Sequence, residues 1–332
     1  MNWFEQLFGF TEGPWDWTQQ QFSLEDEMLT SKANNRAWRI GTFTTPSLGE
    51  LRAAASTLKT STLTPSTLTH EVVGDALELH ADPANAGATF QVASQFNTLE
   101  FPGPSVTPEN GITGYAHDMT QGPACAIATA PATVFRNYLV PMDGGTGQRA
   151  NRQINNLADL DQMLAGGPYW HVINGYTEAQ PQALKTLTNV LSKLDREHLK
   201  CAIRIGLQSN TDVVFENRYT LLSSPHRVNQ VYCSALSCGY SNSPNALWEP
   251  LARLVLESSY EATLLAASLA HASGRGSGVV WLTLLGGGAF GNDTQWIADA
   301  MSMALKNTAH LGLDIRLAHF RERKPAFDHL AI

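Results

Sequence analysis

Between Gly111 and Ala130 the chain gathers side chains of several chemistries within a short run of small residues: His117, Asp118, Thr120, Gln121 and Cys125. A carboxylate at Asp118 can take a proton from water or offset positive charge developing on a substrate, and Gln121 can hold a hydroxyl. Cys125 lies in an alanine run with no base beside it, which makes it a buried core thiol rather than a nucleophile. His117 lacks a positioned partner and reads as a surface group. The second stretch with chemical capacity is Gly286, Gly287, Gly288, Ala289, Phe290, Gly291 and Asn292. Glycines let backbone N–H groups converge on an anion, and a helix start just beyond adds further unpaired donors. The ring of Phe290 is placed to cover a sugar or base.

Regular elements must hold these groups. The apolar run Val279 to Leu285 predicts a strand entering the glycine turn, and Ile297, Met301 and Leu305, four apart, predict a helix over 292–305. A long amphipathic helix is expected over Trp248 to Ala267, and a last strand over Leu313 to Phe320. Pro123 suits the first turn of a helix that continues through the alanines after it. Further strands are expected over Thr89 and the residues after it, at Cys201 to Gln208 and at Arg227 to Leu236, with amphipathic segments at Asn155 to Leu164 and Pro181 to Leu199. Ser47 with Glu50 predicts a capping box at a helix start. The Ser/Thr-rich tract from Ser56 to Thr69 reads as solvated loop, and His70 to Val73 and Ala76 to His80 as short strands around Gly74 and Asp75. The glycines at 144, 145 and 147 lack a Walker lysine and form a surface turn.

With 332 residues, 43% of them hydrophobic, the chain can bury a large core. No apolar run reaches the ~18 residues of a membrane span. Four cysteines at spacings of no common zinc or disulfide framework favour a reducing compartment, and a cytoplasmic location is expected. A net charge of −8 argues against broad binding to nucleic acid or an anionic membrane. Aromatics crowd the first 40 residues and are expected to dock on the body as a clamp or covering layer.

Helix, apolar strand, glycine-aromatic-glycine turn, helix and strand over residues 248–320 resemble the C-terminal half of a macrodomain. The resemblance implies an α/β, three-layer fold with a mixed central sheet flanked by helices, and ADP-ribose as ligand. It implies that the turn from Gly286 to Asn292 wraps the diphosphate with Phe290 against the distal ribose, and that Asn97 reaches the same ribose. The segment from Gln121 to Ala126 falls where poly(ADP-ribose) glycohydrolases place catalytic groups, although their string of three glycines followed by Gln-Glu-Glu does not occur. On this basis Asp118 and Gln121 are the catalytic candidates, because cleavage at ribose passes through an oxocarbenium-like state that a carboxylate stabilises. The expected activity is removal of ADP-ribose from a modified protein or cleavage of a related derivative. The alternative is a reader that binds ADP-ribose without cutting it. No cofactor or metal is expected. Residues 1–80 read as an N-terminal elaboration and 81–332 as the ligand-binding domain, with an insertion at about 141–199 that shapes substrate choice.

Overall fold

The computed structural model describes residues 2–58 and 64–332. The centre of the Ser/Thr tract, 59–63, lies outside the described residues. The body is built on a seven-stranded sheet. In chain order its strands are β1 (Thr42–Thr44), β2 (Thr67–Val73), β3 (Thr89–Ala93), β4 (Gly206–Asp212), β5 (Arg227–Cys233), β6 (Val279–Leu282) and β7 (Asp314–Phe320), arranged β1-β4-β5-β3-β6-β7-β2. From β5 to β2 all neighbours are parallel, while β4 runs antiparallel to both β5 and β1.

Parallel neighbours need crossover connections, and these cover both faces with helices. On one face Val231, Val280, Leu282, Ile315 and Leu317 pack against α4 (Asn245–Ala272) and α5 (Thr294–Thr308). On the other, Phe90, Val228 and Trp281 pack with the alanines of α3 (Gln121–Ala128) and with the N-terminal aromatics. Alternate residues of β6 thus serve opposite cores, as a strand buried on both sides requires. This is the three-layer α/β arrangement expected, and α4, β6, the glycine turn, α5 and β7 follow in the expected order.

Several local expectations need correction. Ala76–Ala81 is a helix, α2, because Asp75 accepts the Leu77 N–H at 2.9 Å and so supplies an N-cap where alternation suggested a strand. Cys201 ends a helix, Arg196–Cys201, capped by Asp195, and the strand expected from Cys201 starts only at Gly206. The capping box forms at α1 (Leu48–Ala55), with Glu50 N–H on Ser47 Oγ at 3.1 Å and Ser47 N–H on Glu50 Oε2 at 2.7 Å. β1 and β2, both within the first 80 residues, form the two edges of the sheet, so no structural seam falls at residue 80. Trp3, Phe4, Phe8, Trp15, Phe22 and Trp38 are buried, as a docked layer requires. Among the described residues no helix is long and apolar enough to cross a membrane.

Candidate active site

The chain leaves β3 toward α3 on one face and β5 toward α4 on the other, so a crevice opens where the connections diverge, beyond the C-terminal ends of the strands. A cleft of about 170 Å³ occupies this position. Its wall combines Ala93 to Gln95 after β3, Glu100 and Phe101, the start of α3, Ala235 after β5, and the turn after β6. No Lys, Arg or His is among the lining residues.

Within the turn, Gly287 N–H bonds Leu284 O at 3.0 Å, Gly291 N–H bonds Gly288 O at 3.0 Å and Asn292 N–H bonds Gly286 O at 2.9 Å. Among the described residues the N–H groups of Gly286, Gly288, Ala289 and Phe290 have no partner within the chain. Gly286 is required by its backbone: its φ is +75°, and a Cβ there would lie 2.4 Å from the Ala235 Cβ. Asn292 is buried and ties the turn to the segment after β5, donating from Nδ2 to Leu236 O at 2.7 Å. Gly286, Gly288, Ala289 and Phe290 line the cleft, whereas Gly287, Gly291 and Asn292 are outside its lining, Gly287 exposed and Asn292 buried. Asp293 caps α5 by accepting the Gln295 N–H at 2.7 Å.

Phe290 meets Tyr176 at a centroid distance of 5.4 Å and Tyr240 at 5.8 Å, and the two tyrosines are 5.0 Å apart. Tyr176 rises from a hairpin of His171–Ile173 and Tyr176–Glu178, so the insertion assigned to substrate choice does reach the cleft. Burial, with Tyr240, Glu100 and Asp118 nearby, pushes the Tyr176 phenol up and keeps it neutral.

The residue that sequence reasoning missed is Glu100. It is 2% exposed and lines the cleft, and among the described residues its Oε1 has no hydrogen-bond partner. Burial, the largest cause, and the charge of Asp118 hold its carboxyl well above the usual range, against the opposing influence of Ser94 and Arg136. Burial thus favours the protonated form of Glu100, the form that can act as an acid. The loop that carries it is fixed from several sides. Gln95 bonds both the N–H and the carbonyl of Phe101, at 2.9 and 3.0 Å. Arg136 donates from Nε to Thr98 O at 3.2 Å, and the Glu100 N–H bonds the Tyr115 hydroxyl at 2.9 Å. Gly122 makes room for the acid, since a Cβ there would sit 2.2 Å from Glu100 Oε2 and 2.1 Å from Ala93 O.

Asp118 lines the same cleft, half-buried, with Oδ1 accepting the Thr120 N–H at 2.8 Å just before α3. Gln121 also borders it, but both ends of its amide are engaged: Oε1 accepts from Ala93 N at 2.8 Å and Nε2 donates to Gln91 O at 2.8 Å. It pins α3 to β3, leaving one donor and one lone pair of the amide for the cleft. Asn97 is fully buried outside the cleft, donating to Gln153 Oε1 at 2.8 Å and accepting from Leu99 N at 3.1 Å. The asparagine after the strand thus serves the loop beneath the acid. Cys125 is buried, its thiol pushed up by burial, and His117 is exposed. A single signal pointed to Glu100: one charged residue within the otherwise apolar run from Leu99 to Phe101.

Over most of its length the chain is similar to poly(ADP-ribose) glycohydrolases of known structure. The enzyme from Thermomonospora curvata is 13% identical, the match covering 92% of this chain and 93% of that one at a TM-score of 0.47. The enzyme from Deinococcus radiodurans in complex with ADP-ribose is 14% identical, covering 86% and 91% at 0.47. The Thermomonospora curvata enzyme bound to the inhibitor ADP-HPD is 13% identical, covering 92% and 93% at 0.44. No protein-family model and no curated protein matches the sequence. At such low similarity, function has to be read from the cleft itself.

Proposed function

We propose that this chain is a hydrolase that cleaves the glycosidic bond at the distal ribose of an ADP-ribose conjugate. The observation that carries the reading is the meeting, in one cleft, of a turn whose N–H groups at Gly286, Gly288, Ala289 and Phe290 are unpartnered among the described residues and a buried carboxyl at Glu100. The turn and the start of α5 suit a diphosphate, which neutral donors hold without a cationic side chain. Phe290 and Tyr176 offer apolar faces to a sugar.

With the diphosphate on the turn, the distal ribose extends toward Glu100 and Asp118. Glu100 gives its proton to the leaving oxygen as the bond from that oxygen to the anomeric carbon breaks. Asp118 offsets the positive charge on the sugar and orients water, whose oxygen bonds the anomeric carbon and whose released proton restores Glu100. Positioned proton transfer of this kind contributes ~10²- to 10⁴-fold in rate.

Calorimetry with ADP-ribose, together with single-turnover release of ADP-ribose from ADP-ribosylated protein, tests the proposal. Expected are binding and release by the wild type, and binding without release by Glu100→Gln. Binding with no release from any linkage by the wild type would favour the reader, and no binding at millimolar ligand would overturn both readings.

A further inference from the structure

Glu12 lies far from the cleft in sequence, between the helices Trp3–Phe8 and Trp15–Gln20. Its carboxylate oxygens accept three kinds of donor from the body of the protein. Ile112 N–H bonds Oε1 at 2.9 Å and Oε2 at 3.0 Å, Thr113 N–H bonds Oε2 at 2.7 Å, and the Tyr138 hydroxyl bonds Oε1 at 2.7 Å. Trp3 Nε1 adds a bond to Thr113 O at 2.9 Å. Gly111 permits the approach, with φ at +78° and a hypothetical Cβ 2.5 Å from Glu12 Oε2.

The backbone that Glu12 grips opens the 3-10 helix Thr113–His117. That helix carries Tyr115, which is 1% exposed and whose hydroxyl accepts the Glu100 N–H at 2.9 Å, and it ends at Asp118. One side chain of the N-terminal layer therefore fixes the segment that leads to both carboxyls of the cleft. The glycine turn shares none of these bonds.

We infer that Glu12 is a positioning residue for the chemistry of the cleft, acting on Glu100 through Tyr115 and on Asp118 through the same 3-10 helix, and that the N-terminal aromatic layer supports the active site from outside its lining. The inference rests on the proposed hydrolase function. Its structural core is independent of that reading, because it predicts where the backbone loosens. A glutamine at position 12 keeps the shape but replaces one acceptor oxygen with a donor, which faces N–H and O–H groups that also donate.

The test is Glu12→Gln in the full chain, with three measurements. Turnover should fall at least about tenfold, since small displacements of reacting groups are costly, while KM and ADP-ribose affinity stay within about twofold. Backbone amide exchange at Glu100 should accelerate by at least about tenfold, with exchange in the core strand β6 unchanged. Unchanged exchange at Glu100 in a folded variant overturns the inference, as does a loss of turnover matched by equal loss of ADP-ribose affinity. If the wild type neither binds nor cleaves an ADP-ribose compound, the functional reading fails while the exchange measurement still decides the role of Glu12. Should Glu12→Gln not fold, Gly111→Ala strikes the same contact from the other side and should give the same pattern.

Discussion

The turn from Gly286 to Asn292 leaves the N–H groups of Gly286, Gly288, Ala289 and Phe290 unpartnered, whereas the loop carrying Glu100 is bound by Gln95, Tyr115 and Arg136. The two line one cleft, yet one stretch keeps its donors open and the other ties down its backbone and buries its acid. A turn facing solvent can leave donors to water until an anion arrives, at little cost. A buried acid must be held in place, because an unsupported polar group in an apolar setting would rearrange or bring in water. Binding and chemistry should therefore separate under mutation.

The largest effect is expected from Glu100→Gln, which should lower single-turnover release by ~10²- to 10⁴-fold with ADP-ribose affinity unchanged. Equal loss of affinity would show that the acid contributes to ground-state binding and would blur the contrast. Gly122→Ala should come next, because its Cβ would meet Ala93 O at 2.1 Å and Glu100 Oε2 at 2.2 Å. A drop in turnover of about 10²-fold is expected, with a stability cost of about 1–3 kcal/mol by denaturant unfolding. Near-normal turnover would show that the acid's placement is less strict than the packing implies.

Gly286→Val gives the converse result. A non-glycine residue at φ +75° beside Ala235 should distort the donor array and weaken ADP-ribose binding in calorimetry by about 1–3 kcal/mol. Gly287→Val is the control within the same turn. Gly287 is exposed and outside the lining, and its Cβ would meet only the Ile297 Cδ1 and Leu284 O at 3.2 Å, so its loss should be smaller. A larger loss at Gly287 than at Gly286 would reverse the assignment of the ligand-facing side. Asp118→Asn is expected to cost about tenfold in turnover, less than the acid does, since Asp118 is half-buried and its Oδ1 is already engaged.

The smallest effect concerns stability against pH. Glu100 has a folded pKa above its unfolded one, so its contribution to stability is fully present below the unfolded carboxyl range and is lost as pH rises toward the folded value. Glu100→Gln removes that titration. Unfolding free energy across this window should fall less steeply with pH in the variant than in the wild type, and identical slopes would mean that Glu100 is ionised in the folded protein.

The same contrast explains what could be read from the chain alone. The glycine turn was legible because its causes are local: an apolar run, consecutive glycines and a helical repeat within about thirty residues. The acid was not, because its environment is assembled from Tyr115, Gly122 and Arg136, none of them its neighbour in sequence. Asp118 lines the same cleft as Glu100 and is the more accessible of the two carboxyls. Asn97 and Gln121 are polar residues of the type a sugar needs, yet their partners Gln153, Leu99, Ala93 and Gln91 become apparent only in three dimensions. Ala76 to His80 shows the same limit at smaller scale, where an N-cap outweighed an alternating pattern.

A cleft lined without Lys, Arg or His, in a protein of net charge −8, has consequences for how its ligand arrives. The long-range field of such a protein repels an anionic ligand rather than steering it in, so capture should run at or below the unsteered rate. Added salt should then screen that repulsion and speed capture modestly, with little change in residence time. Free phosphate-rich metabolites gain no advantage from charge alone and must fit the donor array to stay. Selectivity at this mouth is exercised by contact, after collision, and ADP-ribose association that slows steeply as salt is added would show that a cation lies on the approach.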